Sequence, residues 1–195
     1  MAFPDAVCGL NFENPFRLLI ATILSAQSSD TGVNRITPGL WKSYPGPGDL
    51  AAAALVDLER KFRPLGLFRN KARNVRNCAK KILEIHGGEV PATLGELEDL
   101  PGVGRKTARV VLGECFGAPG IVVDTHMARV SKRLGFTEEE NPLRIEHDLA
   151  SLVPLAQRTL FSHRIIALGR EICHSRKPRC GTCPLAPECP SAHYA

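Results

Sequence analysis

Lys106 stands in the first turn of a helix-like run, RKTARVVLGECFG, directly behind the turn PGVG. A primary amine attacks a sugar carbon only when it is neutral. Partial burial and the positive end of a helix dipole both disfavour the ammonium form, so a lysine in this place has a route to nucleophilic activation. On spacing alone, a solvated lysine touching a phosphate is the plainer reading. Eighteen residues on, Asp124 stands in VDTHMARV, next to the apolar run 120–123. A carboxylate at the mouth of a helix is most often an N-cap, and Asp124 is expected to be one. It can also face Lys106 across a cleft, where it would stabilise positive charge on a ribose ring or shuttle a proton. His126, close by, is read as structural.

The second chemical signal is a set of thiols. Of seven cysteines, Cys173, Cys180, Cys183 and Cys189 fall in the last 23 residues with intervals of six, two and five. An odd total argues against a closed disulfide framework. Zinc sites usually show two separated C-x₂-C pairs, whereas this segment has one such pair flanked by single cysteines. Four thiolates in a compact loop also suit an iron–sulfur cubane. The spacing admits both and leans to the cubane. Between the first two cysteines, Arg176, Lys177 and Arg179 would form a basic knob on a loop held rigid by the metal.

These groups need elements to hold them. A short helix ending in LEDL, the turn PGVG and a helix from Arg105 make a hairpin. Gly102 and Gly104 free the backbone and remove bulk, leaving amide N–H groups directed outward at a helix start, a receptor for phosphate that reads no base. Arg105 adds a cation there. Asn14 and Pro15 begin a helix whose centre, LLIATIL, is apolar on nearly every side and is therefore expected at the middle of a core. Asp30 is taken to cap the next helix. Residues 69–85 form a further helix, stopped by HGGEVP. The second half of PGLWKSYPGPGDL (38–50) is expected as loop. Further helices are expected at VDTHMARVSKRLGF and near 156–173. With little β-branched alternation, the fold class is all-α.

Composition sets the outer bounds. The 195 residues carry 44% hydrophobic, 23% charged and 6% aromatic side chains, with a net charge of +5. This is a globular, mildly basic chain, and the charge by itself points only weakly to a polyanionic partner. The opening MAFPDAVCGLNF lacks a charged segment followed by an apolar run, so no signal peptide is expected. No stretch approaches the roughly 20 apolar residues of a membrane span. A reducing intracellular setting, cytoplasmic or nucleoid-associated, with no membrane partner, is expected.

LSAQSSD (24–30), LPGVGRKTARVV (100–111), VDTHMARV (123–130) and the 6-2-5 cysteine interval, in that order, resemble endonuclease III-like DNA glycosylases of the helix-hairpin-helix superfamily. The likeness runs from about Asn11 to Cys189. It implies two helical domains with DNA in the cleft between them: residues 10–118 as a six-helix barrel domain with the hairpin, and residues 119–195 with 1–9 as an iron–sulfur domain. Lys106 matches the family's nucleophile, which forms a Schiff base with the sugar. Asp124 matches its essential carboxylate. Cys173, Cys180, Cys183 and Cys189 match the ligands of a [4Fe-4S] cluster. Gln27 matches the residue that fills the gap left by the flipped base, and Leu67, in LGLFRNKA, a wedge that replaces lost stacking. The implied activity is removal of oxidised or ring-saturated pyrimidines from damaged double-stranded DNA with a nick 3′ to the lesion, by a monomer. Residues 61–81 hold eight Lys or Arg and no acid, and beside Leu67 they read as a phosphate-binding strip. The resemblance also implies a longer segment before Asn11, so part of the cluster domain's packing is expected to be missing or replaced.

Three other readings compete. The adenine-removing branch of the superfamily uses a carboxylate in the first long helix, and LLIATIL has none. A non-catalytic DNA-binding module has no need for Lys106 and Asp124 together. A zinc-stabilised structural protein would use the same four thiols.

Overall fold

The computed structural model describes residues 3–192. Residues 1–2 and 193–195, which the expected second domain includes, lie outside the described residues. Ten α-helices and three 3-10 turns account for the regular structure, with no strand among the described residues, as the all-α expectation requires. The chain divides into two compact units, Gly9–Gly117 and Met1–Cys8 with Ala118–Ala195.

The Gly9–Gly117 unit is organised by two helices. Helix α1 (Pro15–Leu24) begins at Asn14, whose side chain accepts from the Arg17 N–H, with proline in the first turn. Eight of its ten residues are buried, so the all-round apolar LLIATIL does lie at the centre of a core. The longest helix, α5 (Phe68–His86), packs against α1, against α3 (Pro47–Ala52) and against α4 (Leu55–Phe62). Its buried stripe is Lys71, Ala72, Val75, Cys78, Ala79 and Ile82, at helical spacing. Gly87, in the left-handed region, closes it. Helix α2 (Asp30–Ser43) is capped by Ser29, whose hydroxyl accepts from the Gly32 N–H at 3.1 Å. The cap is therefore one residue earlier than expected, with Asp30 in the first turn, where its charge suits the dipole. Part of the expected loop at 44–50 is α3. Pro47 supplies a helical φ in the first turn, and the Asp49 carboxylate accepts the Gly46 N–H at 3.1 Å. The same Pro and Gly that read as a loop begin a helix. Helices α6 (Leu94–Glu98) and α7 (Arg105–Cys115) complete the unit.

Burial pushes the Cys78 thiol from 9.0 up to about 12. In the unfolded chain the same thiol ionises near its ordinary value. Cys78 therefore costs nothing below about pH 9, and stability falls as pH rises through the window from about 9 to about 12, where only the unfolded state releases the proton. At pH 9 the native protein is expected to leave Cys78 unmodified by iodoacetamide and to expose it only on unfolding. Peptide mapping of the alkylated protein checks this.

In the other unit, α8 (Thr125–Arg133), α9 (Pro142–Leu152) and α10 (Arg158–Glu171) enclose a core of Ile121, Met127, Val130, Ile145, Leu149 and Leu168. Helix α9 was not foreseen, although Asn141 and Pro142 repeat the cap signature of Asn14 and Pro15. Phe3 packs onto this core, and its carbonyl accepts from Arg164. The short segment before Asn11 thus supplies packing of its own to the unit.

Candidate active site and cysteine loop

In the hairpin, α6 ends at Asp99 and α7 starts from Gly104, which as N-cap brings no side chain to the first amides of the helix. Arg105 and Lys106 follow at once, so the helix start presents its N–H groups beside two cations, the arrangement expected of an anion receptor. Gly102 is needed for two reasons. Its φ is +81°, and a Cβ there would lie 2.8 Å from the Asn74 Cβ on α5. Lys81, also on α5, donates to the Asp99 carbonyl at 2.7 Å and so ties the hairpin to the same helix. Arg105 faces Glu98 at 4.0 Å.

Lys106 is exposed, contrary to the partial burial expected. The buried face of α7 is Ala108, Val111 and Leu112, and a residue two positions before Ala108 points away from that face.

Asp124 is half-buried at the N-cap of α8, where Oδ1 accepts from the Met127 N–H at 2.8 Å. Its second carboxylate oxygen is not used by that cap. His126 contacts the Arg129 guanidinium through Nδ1 at 3.2 Å, and a Cβ at Gly169 would lie 2.9 Å from the His126 Cβ. The imidazole packs between α8 and α10, the structural role expected of it.

Gln27 and Leu67 are both exposed, and both occupy the left-handed region, with φ of 53° and 57°. Neither is glycine, so each backbone is strained and held by its surroundings. Leu67 is 51% exposed, an unusual place for a leucine at the mouth of a helix. The basic strip is less uniform than the sequence implied. Lys71 is buried, and Lys61 binds the Gly39 carbonyl and the Ser43 hydroxyl.

The four C-terminal cysteines line one small hollow with Val130, Leu134 and Leu168 among its walls. Two 3-10 turns, Cys180–Thr182 and Ala186–Glu188, shape the loop. Its first cysteine is gripped by two arginines of α8 that sequence reasoning passed over. Arg129 donates to the Cys173 carbonyl at 3.0 Å and to the Gly169 carbonyl at 2.9 Å. Arg133 donates to the Cys173 Sγ at 3.3 Å and to the carbonyls of His174 and Ser175. Their spacing of four on VDTHMARVSKR was the available signal. Of the basic knob, Arg176 and Lys177 are exposed, with Lys177 at a φ of 51°. Arg179 turns back to donate to the Glu171 carbonyl at 2.6 Å and braces the loop. Among the described residues, no three His, Cys, Asp or Glu side chains are grouped so as to hold a single metal ion.

Residues 20–155 match the family described as HhH-GPD superfamily base excision DNA repair protein. The chain is 48% identical to endonuclease III of Synechocystis sp. over 97% of its own length and 87% of that protein's. Against endonuclease III of Bacillus subtilis the figures are 46%, 96% and 86%. A solved non-covalent endonuclease III–DNA complex superposes with a TM-score of 0.94 at 46% identity, covering 97% of this chain and 89% of that one. A trapped endonuclease III–DNA covalent intermediate gives the same TM-score and identity, over 97% and 90%. No helix among the described residues is long and apolar enough to cross a membrane.

Proposed function

The chain belongs to the HhH-GPD superfamily of base excision DNA repair proteins, and within it to the endonuclease III family; from that premise we propose that it excises oxidised or ring-saturated pyrimidines from duplex DNA through Lys106 and then nicks the strand 3′ to the abasic site. The observation that carries the assignment is the similarity over nearly the whole chain to an endonuclease III trapped in covalent linkage to DNA. The amine proposed for the same linkage here is Lys106, at the amide-lined start of α7.

The helix start, with Gly104 bare and Arg105 beside it, holds a backbone phosphate of the damaged strand and gives grip without reading sequence. The damaged nucleotide leaves the stack, because its C1′ is out of reach inside the duplex. Gln27 enters the vacated space and Leu67 wedges the duplex apart. Exposure of Lys106 in the free protein means that water is excluded from the amine only when DNA covers it, so desolvation of the nucleophile coincides with substrate binding. Neutral Lys106 Nζ forms a bond to C1′ as the glycosidic bond breaks, and the base departs with the bonding pair. Opening of the sugar at its ring oxygen leaves a protonated imine. A base then removes a C2′ proton, the 3′ phosphate leaves in β-elimination, and water hydrolyses the remaining imine to free Lys106 and an unsaturated aldehyde. Asp124 is assigned the carboxylate role, stabilising cationic character at the sugar or moving a proton while its other oxygen holds the cap.

Cys173, Cys180, Cys183 and Cys189 are proposed to hold a [4Fe-4S] cluster. The donor set fits. Four thiols line one hollow with apolar walls, and a guanidinium donates to one of the sulfurs, as suits a thiolate ligand. Thiolates sharing one zinc would converge within roughly 4 Å of each other, given a Zn–S bond of about 2.3 Å. A cubane keeps its ligands around a larger body. When bound, the cluster supplies rigidity to the loop that carries Arg176 and Lys177 toward DNA phosphate. The protein is proposed to act as a monomer in a reducing cellular compartment.

Incubation with a duplex containing one thymine glycol is expected to release the free base and leave a nick with an unsaturated aldehyde at the 3′ end. Binding without base release would contradict the reading. The preparation is expected to contain iron and acid-labile sulfide. A colourless, zinc-containing protein made under iron-replete, oxygen-limited conditions would remove the cluster from it.

A further inference from the structure

Lys71 does not behave like the rest of the basic strip. It is 3% exposed, and its ammonium makes its one side-chain hydrogen bond among the described residues to the Ser28 hydroxyl, at 2.7 Å. Lysine is almost never so buried without an ionic partner, and the Ser28 hydroxyl is a neutral one. Burial also holds its pKa below lysine's ordinary value. Replacing such a group by an apolar side chain of similar length should not harm stability, so its presence asks for another explanation.

The neighbouring turns supply one. Ser28 follows Gln27, and its own N–H donates to the Ser25 carbonyl at 3.0 Å. Lys71 lies four residues after Leu67, and its backbone N–H donates to the Leu67 carbonyl, also at 3.0 Å. Gln27 and Leu67 are the two exposed residues of this unit held at positive φ without being glycine. Between them, a Cβ at Gly66 would touch the Gln27 carbonyl oxygen at 3.5 Å, so the two turns lie side by side. One residue thus holds the Leu67 turn by its backbone and the Gln27 turn by its side chain. The next turns of the same helix hold the hairpin, through Asn74 against Gly102 and Lys81 to Asp99.

We propose that Lys71 is a positioning residue: it clamps the Gln27 and Leu67 turns in one register, so that both side chains enter the duplex together. The inference rests on the reading of those two residues as the gap-filler and the wedge. Lys71 touches neither substrate nor reacting atoms, and its action is through the strained turns.

A double-mutant cycle on the cluster-loaded protein tests this, with single-turnover excision of thymine glycol from a duplex as the readout. Lys71→Met and Gln27→Ala are each expected to slow excision by about ten- to a hundredfold, the scale of a misplacement near 1 Å. The double variant should be no slower than the worse single one. Ser28→Ala breaks the same link from the other side and should show the same non-additivity with Gln27→Ala, which keeps the test decisive if Lys71→Met fails to fold. Thermal unfolding of Lys71→Met should match or exceed the parent, and the salt dependence of binding to undamaged duplex should be unchanged. Losses that multiply, parental excision by Lys71→Met, or a salt slope reduced by about one unit overturn the proposal, the last by making Lys71 a phosphate contact. Parental excision by Gln27→Ala would instead sink the gap-filling role on which the proposal stands.

Discussion

Lys106→Ala is expected to slow base excision and strand cleavage at thymine glycol by at least about 10³-fold, the scale of losing a covalent nucleophile, while binding to the same duplex changes only a few-fold. The expectation of a clean separation comes from the local structure. Lys106 is exposed and lies off the Ala108–Val111–Leu112 face of α7, so truncation opens no cavity. Alanine is the better helix former, and a cation in the first turn opposes the helix dipole, so the fold should be as stable as the parent's or slightly more so. The phosphate receptor is built from Gly104 and the first amides of the helix, which the substitution leaves intact. At most one phosphate contact is lost, and this lowers the slope of log affinity against log salt by about one unit. Quench-flow excision rates together with fluorescence anisotropy on one labelled duplex check both halves.

Asp124→Asn is expected to lower excision by about 10²- to 10⁴-fold, the usual reach of a positioned acid–base or charge-stabilising group, with thermal stability close to the parent's. Asparagine caps as well as aspartate does, so the bond from the Met127 N–H survives while the negative charge is removed. Asp124→Ala loses the charge and the cap together and should in addition cost about 1 kcal/mol of stability. Comparing the two separates the carboxylate's chemistry from its place in the fold. If Asp124→Asn excises at the parental rate, Asp124 is only a cap. Calorimetry and single-turnover rates on both variants decide this.

What the sequence makes legible here is what depends on neighbours in the chain. The buried character of α1 follows from apolar residues on every side of its centre. The cap at Asp124 and the turn at Gly102 follow from residue types whose backbone preferences are strong. Short range also explains the misses. Pro47 serves equally to break a helix and to start one, and the Gly46–Asp49 cap decides which. Asn141–Pro142 carried the same signature as Asn14–Pro15, without an apolar run strong enough to draw notice. Side-chain direction within a mixed helix was harder still. In α5 the basic residues recur so densely that charge alone does not mark Lys71 as the one turned inward. Its partner, Ser28, is 43 residues away, and only the packed unit brings them together. The exposure of Lys106 and the grip of Arg129 and Arg133 on the Cys173 loop are likewise tertiary facts.

The central claim is that Lys106 becomes covalently joined to the sugar of the excised nucleotide. Borohydride reduction of the protein during reaction with a thymine glycol duplex, followed by digestion and mass mapping, tests it directly. A deoxyribose-derived adduct on the Lys106 peptide is the expected result. Release of the free base with no adduct, or an adduct on another amine, would contradict it.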